Sequence, residues 1–299
     1  MLFNSFTFNT EPDTIDLNIA DISIRIRLTH KHLLSDIRSR FHKFCYHTAT
    51  PSIIIDIHLA PDICFPNPDG SNNFFNHQHF DDANTCFVRS NYFTGYIDIE
   101  RRYGKLVGDA DNPLSWLEHF LRISYAVIAL KEETLLFHGA GLVDDEHGYI
   151  FFGPSGVGKS TVTNFSGHCA VLGDDLIAIK PGETGFQMYA TPFNHEENGF
   201  VLSNSMANIK GFYRLVQDCE TYIRDMKPAR AITEMLSNIP PVNNNKEGSI
   251  LALTMCTRII NEIPCYELHF TKNNKFWRLI DGHIAKIPET QQELCFACG

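Results

Sequence analysis

The sequence has no apolar run as long as the roughly 18 residues that a membrane-spanning helix needs. Its most apolar stretch, residues 121–133, contains Arg122 and therefore predicts a buried helix. The first residues lack the basic segment and apolar core of a signal peptide. Positive charge is in deficit, with 25 Lys and Arg against 35 Asp and Glu and a net charge of -10. An acidic chain is a poor partner for a phosphate backbone, so we expect neither a nucleic acid nor a membrane as a partner.

Paired cysteine motifs are also missing. The nine cysteines are scattered and odd in number, whereas secreted disulfide frameworks are short and have even numbers of cysteines. Cys295 and Cys298 form one CxxC pair near the end of the chain, but no second pair or nearby histidine pair completes a set of four zinc ligands. We therefore expect a reduced, cytoplasmic chain without a structural metal.

The patterns that are present change character near residue 108. Before it, residues 22–28, 51–60 and 92–100 alternate apolar and polar side chains, which predicts half-buried strands. Residues 66–82 are rich in Pro, Asn, Gly and Asp and predict a surface loop. After it, Pro113 begins a helical pattern that is followed by strands and a second helix. We predict a β-rich N-terminal lobe at residues 1–108 and an α/β domain at residues 109–299.

A glycine-rich turn carries the clearest chemical signal. Residues 153–160 read GPSGVGKS and match the phosphate-binding pattern G-x-x-x-x-G-K-[ST] at every fixed position. An apolar strand pattern precedes the turn and a helical pattern follows it, which argues against a chance match. The glycines allow successive N–H groups to point at an anion, Lys159 can reach the β- and γ-phosphates, and the hydroxyl of Ser160 can bind Mg²⁺. The predicted nucleotide contacts are Gly153, Pro154, Ser155, Gly156, Val157, Gly158, Lys159, Ser160 and Thr161.

Two adjacent carboxylates follow the next apolar strand. Asp174 and Asp175 stand where a magnesium-binding aspartate follows the loop in many nucleotide-binding proteins. Neighbours in an extended chain point to opposite sides, so one can face a metal while the other accepts a proton from a hydroxyl. A plain Asp-Asp turn is the alternative. His138 precedes the strand of the glycine-rich turn and is flanked by glycines, which indicates a close backbone approach. His195, Glu196 and Glu197 could close over an acceptor or be an ordinary polar loop.

Several other nucleotide-dependent classes are excluded by missing motifs. No N-K-x-D segment follows the glycine-rich turn, as base recognition in a GTPase would require, and the only nearby D-x-x-G lies before the turn. The H-R-D and D-F-G segments of protein kinases are absent as well.

Together, "FHGAGLV", "GPSGVGKST", "LGDDLIAI" and "TPF" occur in the order found in HPr kinase/phosphorylase, and the chain resembles that family over residues 114–280. The family belongs to a superfamily with the phosphoenolpyruvate carboxykinases, and its smaller relatives include kinases of lasso-peptide precursors. The resemblance implies an α/β P-loop kinase domain preceded by a smaller lobe, and ATP and Mg²⁺ as cofactors. It implies Asp174 as the acid/base near the acceptor, Asp175 as a metal-side carboxylate beside Ser160, and His138 next to them. The N-terminal lobe and a second acidic segment of true HPr kinases have no counterpart here.

These observations predict a magnesium-dependent phosphotransferase that moves the γ-phosphoryl group of ATP to a hydroxyl. Lys159 and Mg²⁺ would stabilise the developing charge, and Asp174 would take the proton. The acceptor could be a serine of a peptide or small protein, or a small hydroxylated molecule. A plain ATPase, a nucleotide-binding scaffold and a phosphorylase remain alternatives, and the sequence leaves homo-oligomerisation open.

Overall fold

The computed structural model describes residues 2–60, 76–81, 84–111, 113–194, 205–240 and 246–284. His195, Glu196, Glu197, Cys295 and Cys298 lie outside this set, as does Asn112 before the long helix. Among the described residues no helix is both long and apolar enough to cross a membrane. These residues form a mixed α/β structure with two sheets, which confirms the α/β class.

The first sheet contains the alternating segments of the N-terminal part. Its strands lie in the order β1-β2-β3-β7-β6-β5-β4, with parallel pairing of β2 with β3 and of β3 with β7 and antiparallel pairing elsewhere. The strand bounds are β1 Asp13–Ile19, β2 Ile22–Leu28, β3 Ile53–Leu59, β4 Asn76–Phe80, β5 Thr85–Ser90, β6 Phe93–Asp98 and β7 Tyr103–Gly108. The predicted strand at residues 22–28 is confirmed: its isoleucines are buried, while Arg25 and Arg27 between them pair with Asp16 and Asp56 on neighbouring strands.

One part of the predicted surface loop is a strand. Among the strands that the structure describes, β4 lies at the edge of the first sheet and has β5 as its single partner. An edge strand needs one neighbour and little burial, so a polar sequence can form it. His79 stacks on Phe87 of β5 with ring centroids 5.0 Å apart. The surface-loop prediction is therefore wrong for residues 76–80.

The long helix joins the two sheets. Helix α1 (Lys31–Arg40) packs on β1, whereas α2 (Pro113–Lys131) contacts β2, β6 and β7 of the first sheet and β8 (Leu135–Asp144) of the second. Most side chains of α2 are buried, including Trp116, Phe120 and Tyr125. A helix that is apolar on nearly all sides belongs inside a core. Buried residues from both sheets accordingly join α2 in one continuous cluster, whereas the other face of the second sheet forms a separate cluster with α6. The division into lobes at residue 108 stays a prediction.

The second sheet has helices on both faces. Its remaining strands are β9 His147–Phe152, β10 Ala170–Gly173, β11 Leu176–Pro181, β12 Phe186–Ala190, β13 Met206–Gln217, β14 Tyr222–Asp225 and β15 Cys265–Phe270, and its helices are α3 Lys159–Asn164, α4 Pro228–Leu236, α5 Lys246–Glu262 and α6 Lys275–Ile284. Successive residues of a strand face opposite sides. Phe152 of β9 thus packs in the core shared with α2, α4 and α5, and Phe151 packs against Phe276 and Trp277 of α6.

Three parallel strands of this sheet end at the same edge. β9 pairs with β13 and β13 pairs with β15, both in parallel. On its other side, β9 pairs antiparallel with β8, so that Gly139 lies opposite Phe152. The strand of His138 therefore lies directly beside the strand that leads into the glycine-rich turn. Ligands of α/β sheets bind beyond the carboxyl ends of parallel strands, and the turn after β9 lies at such an edge.

Candidate active site

The glycine loop, residues 153–158, connects β9 to α3 in a conformation that its glycines permit. Gly153, Gly156 and Gly158 have φ values of 142°, 76° and 115°, in the region that residues with a Cβ rarely adopt. At Gly158 a Cβ atom would also lie 2.7 Å from Cζ of Phe270 at the end of β15. Both the turn and the close approach explain why glycine occupies these positions.

Two side chains hold the glycine loop in place. Nζ of Lys159 donates a hydrogen bond to the carbonyl oxygen of Gly153 at 3.1 Å, and the lysine side chain is buried. Gln217, the last residue of β13, donates from Nε2 to the carbonyl oxygens of Gly156 and Val157 at 3.2 and 3.1 Å. A buried ammonium next to the backbone of a glycine-rich turn is suited to an anion with several oxygens, such as a nucleotide phosphate. The loop residues therefore fit a phosphate group.

The paired aspartates occupy a break between β10 and β11. The pairing register of β10 with β8 shifts between Val171 and Gly173, just before the two aspartates. The carbonyl oxygen of Asp175 accepts a hydrogen bond from the Gly139 N–H at 2.9 Å. Oδ1 of Asn194 accepts from the N–H groups of Asp175 and Leu176 at 2.9 and 2.8 Å. Because these bonds fix the backbone of the break from both sides, the two carboxylates have defined directions.

Asn194 is itself fixed by the N-terminal part of the chain. Its Nδ2 donates to the carbonyl oxygens of Leu176 and Thr191, each at 2.9 Å, and its side chain is buried. Its own carbonyl oxygen accepts a hydrogen bond from Nη2 of Arg40 in α1 at 3.2 Å. Arg40 also pairs with Glu118 of α2. A chain of polar contacts therefore runs from α1 to the aspartates.

The two aspartates differ in environment. The carboxylate of Asp175 lies with Oδ1 3.1 Å from Nε2 of His138, and its side chain is 26% exposed. Asp174 is buried. Burial lowers the pKa of His138, as do the charges of Lys159 and Arg122, while the charge of Asp175 opposes them. The lowered pKa of His138 favours its neutral imidazole, and Nε2 of that ring lies within hydrogen-bond distance of Oδ1 of Asp175.

Asp175 also links this pair to the glycine loop. Burial lowers the pKa of Lys159, and the charge of Asp175 opposes that shift. The structure thus brings His138, Asp175 and Lys159 within electrostatic reach of one another. Ser160 and Thr161 follow Lys159 at the start of α3, and Ser160 is exposed to solvent.

A cavity of about 380 Å³ opens beside the His138–Asp175 pair. We call it the α2 cavity, because four residues of α2 form one of its walls. It is lined by Gln78, His119, Arg122, Ile123, Ala126, His138, Asp175, Leu176, Ser237, Asn238, Ile239 and Pro240. Its size is within the range of about 300–1,000 Å³ that is usual for small-molecule sites. Asp175 lines this cavity and Asp174 is not among the lining residues.

Three residues of this region were not predicted as site residues. In the sequence Arg122 stands out only as a charge within an apolar stretch, and this isolated charge on a predicted buried helix is its one local signal. Asn194 directly follows the "TPF" segment, but its hydrogen bonds to residues 175 and 176 are invisible in a linear pattern. Gln217 ends a strand without any motif, so no local signal marks its contact with the glycine loop.

A group of potential metal ligands lies elsewhere on the second sheet. The ligand atoms of Asp144, His168 and Cys169 lie within 4.8 Å of one another, and Asp144 ends β8 at the opposite end from Leu135. Thiolate and imidazole suit zinc, whereas Mg²⁺ is bound by oxygen ligands. This group therefore does not bear on the predicted magnesium ligands Ser160 and Asp175.

No protein-family model matches the chain, and no curated protein shows significant similarity to it.

Proposed function

We propose that this protein is a P-loop kinase of the HPr kinase-like type, which transfers the γ-phosphoryl group of ATP to a hydroxyl of an acceptor in the α2 cavity. One observation carries the proposal: Asp175 lies 3.1 Å from His138 in the cavity wall, and its charge also acts on the buried Lys159 of the glycine loop. Phosphoryl transfer to a hydroxyl uses a phosphate-binding element and a proton acceptor that lie close together. Asp175 is near both the lysine of the glycine loop and the cavity, so it fits the role of that acceptor. The resemblance of the motif order to HPr kinases supports the same chemistry.

Different residues would bind ATP, hold the metal ion and accept the proton. The glycine loop and Lys159 would bind the phosphates of ATP, and the hydroxyl of Ser160 would hold Mg²⁺, which neutralises phosphate charge when it is bound. As the acceptor oxygen bonds to phosphorus and the bond to the bridging oxygen of ADP breaks, the acceptor proton would pass to a carboxylate. A neutral His138 would orient that carboxylate without cancelling its charge.

The choice between the two aspartates follows from the cavity. From sequence we predicted Asp174 as the base and Asp175 as the metal-side carboxylate. Because Asp175 lines the α2 cavity and contacts His138, we propose Asp175 as the proton acceptor and leave the metal-side role to Asp174. A cytoplasmic location fits an ATP-dependent enzyme and stays a prediction.

The proposal is tested with radiolabelled ATP, cell extract and four variants. Lys159→Ala should abolish both label transfer and the rise in melting temperature that Mg-ATP produces, because it removes the phosphate-binding ammonium. Asp175→Asn should lower transfer by about 10²–10⁴-fold, as loss of a general base does, with ATP affinity preserved. Asp174→Asn should reduce the dependence on Mg²⁺ and also lower the affinity for the nucleotide. Asp36→Asn, an exposed aspartate on α1, is the matched control.

The outcomes separate the alternatives. ATP hydrolysis without any labelled acceptor would support a plain ATPase, and Mg-ATP binding without turnover would support a scaffold. The opposite behaviour of the two aspartate variants would restore the sequence-based assignment of Asp174 as the base. Equal melting-temperature shifts in wild type and Lys159→Ala would refute the nucleotide site itself.

A further inference from the structure

A guanidinium lines the α2 cavity on the side of the helix. Arg122 lies one turn after His119 on α2, and Ile123 and Ala126 complete this wall. The side chain is partly buried, and its neighbours on the helix are almost all buried and apolar. Withdrawing a charge from water costs free energy unless a partner compensates it. The position of Arg122 therefore calls for a partner.

The partner that the described part of the chain supplies is a neutral side chain. Nη2 of Arg122 lies 2.8 Å from Nδ1 of His119. Burial, together with the charge of Arg122, lowers the pKa of His119 to about 4, so the imidazole is uncharged and its Nδ1 accepts this bond. Within the described ranges Arg122 forms no ion pair with a carboxylate, although Asp175 lines the same cavity. A guanidinium has several N–H donors, and among the described residues the bond to His119 occupies one of them.

Resting on the proposed phosphotransfer, we infer that the acceptor is a small molecule with an anionic group, either a carboxylate or a phosphate. Arg122 binds this anionic group, and the hydroxyl of the acceptor lies next to the His138–Asp175 pair. Arginine suits such oxyanions because its planar fork donates two parallel hydrogen bonds. The cavity volume of about 380 Å³ fits a small molecule and not the surface of a folded protein.

The charges in the cavity also explain how such an acceptor would be selected. Asp175 would repel an anionic molecule if no positive charge stood across from it. Arg122 offsets that repulsion, and a neutral analogue would leave the guanidinium without its partner. Sites built to bind a polar group discriminate strongly against analogues that lack it. The acceptor should therefore be anionic before it is phosphorylated.

The test separates a cell extract by size and charge before the assay. Material below about 3 kDa is passed over an anion exchanger, and the retained fraction, the flow-through and the larger material are each incubated with the full chain and radiolabelled Mg-ATP. We expect label transfer with the retained small-molecule fraction. With that fraction, Arg122→Gln should lower transfer on the order of 10- to 100-fold, since it removes hydrogen bonds to a charged group. Arg122→Lys should recover part of the loss.

The controls keep this inference apart from the proposed function. Arg101→Gln, in which the replaced side chain is 84% exposed, should transfer label like the wild type. The Mg-ATP melting shift should be unchanged in Arg122→Gln, which shows that the variant is folded and binds nucleotide. Labelling in the flow-through or in the larger material would overturn the anionic small acceptor and leave the kinase proposal standing. Equal transfer by Arg122→Gln and wild type would overturn the role of Arg122. No labelling in any fraction would refute the kinase proposal and this inference with it.

Discussion

Replacing Asn194 by alanine should damage both the stability of the fold and the geometry of the aspartates. The side-chain amide accepts hydrogen bonds from two backbone N–H groups, those of Asp175 and Leu176, and donates to the carbonyl oxygens of Leu176 and Thr191. Alanine cannot replace any of these contacts. The bond from Arg40 to the backbone oxygen of residue 194 would be retained, so the loop stays attached at that point.

The size of the effect follows from the two N–H groups that lose their acceptor. A buried donor without an acceptor costs about 1–3 kcal/mol. Leu176 is buried, whereas Asp175 lines the cavity. The cost of leaving the Asp175 N–H without an acceptor should therefore lie at the lower end of this range. The free energy of unfolding should therefore fall by about 2–5 kcal/mol. The released break between β10 and β11 would also let Asp175 move away from His138, which should slow label transfer more than it weakens ATP binding.

Urea unfolding at equilibrium measures the first effect, and label transfer together with ATP titration measures the second. Asn208→Ala is the matched control, because Asn208 is exposed on β13 and accepts one side-chain hydrogen bond, from Gln187. We expect that control to change the free energy of unfolding by about 0.5 kcal/mol at most. If Asn194→Ala is as stable as Asn208→Ala and transfers label at the wild-type rate, Asn194 does not hold the aspartates and the reasoning fails.

Two further predictions concern the metal and the pH dependence of stability. Ser160→Ala should weaken nucleotide binding in the presence of Mg²⁺ and leave metal-free binding nearly unchanged, because its hydroxyl is the proposed ligand; an unchanged metal requirement in a titration with and without Mg²⁺ would exclude that role. His119 has a pKa of about 4 in the folded protein, below about 6.5 in the unfolded chain, so stability is lost as the pH falls from 6.5 towards 4, by up to about 3 kcal/mol. Urea unfolding at pH 7 and pH 4.5 measures this loss, which should be smaller in His119→Gln. An equal loss of the free energy of unfolding in the variant and the wild type would contradict the low pKa.

Features that depend on neighbouring residues were predictable from the sequence. The conformation of the glycine loop follows from Gly153, Gly156 and Gly158 themselves, and the burial of β2 follows from its own alternation. β4 escaped prediction because an edge strand is held by its partner β5 and not by its own apolar residues. In both of the predictable cases the chain carries the information locally.

Features that depend on distant contacts were not predictable in this way. Which of two adjacent aspartates faces the cavity depends on the break between β10 and β11, and this break is fixed by Asn194 and by Gly139 from other strands. Arg122 becomes a candidate site residue only because α2 and His138 line the same cavity. A linear pattern predicted the phosphate-binding residues, but it could not predict which side chains lie opposite them.

The contact of Arg40 with the loop of Asn194 bears on how the protein can be dissected. A fragment that starts at residue 109 would retain the glycine loop and every proposed active-site residue. It would also lose Arg40, the sheet that covers one side of α2, and with them the outer support of the aspartates. Trp116 and Phe120 would become exposed, and such a fragment should aggregate when it is expressed alone. Co-expression with residues 1–108 should restore a soluble complex, which size-exclusion chromatography would detect. Such a result would show that the N-terminal part supports the site structurally and is not an independent module.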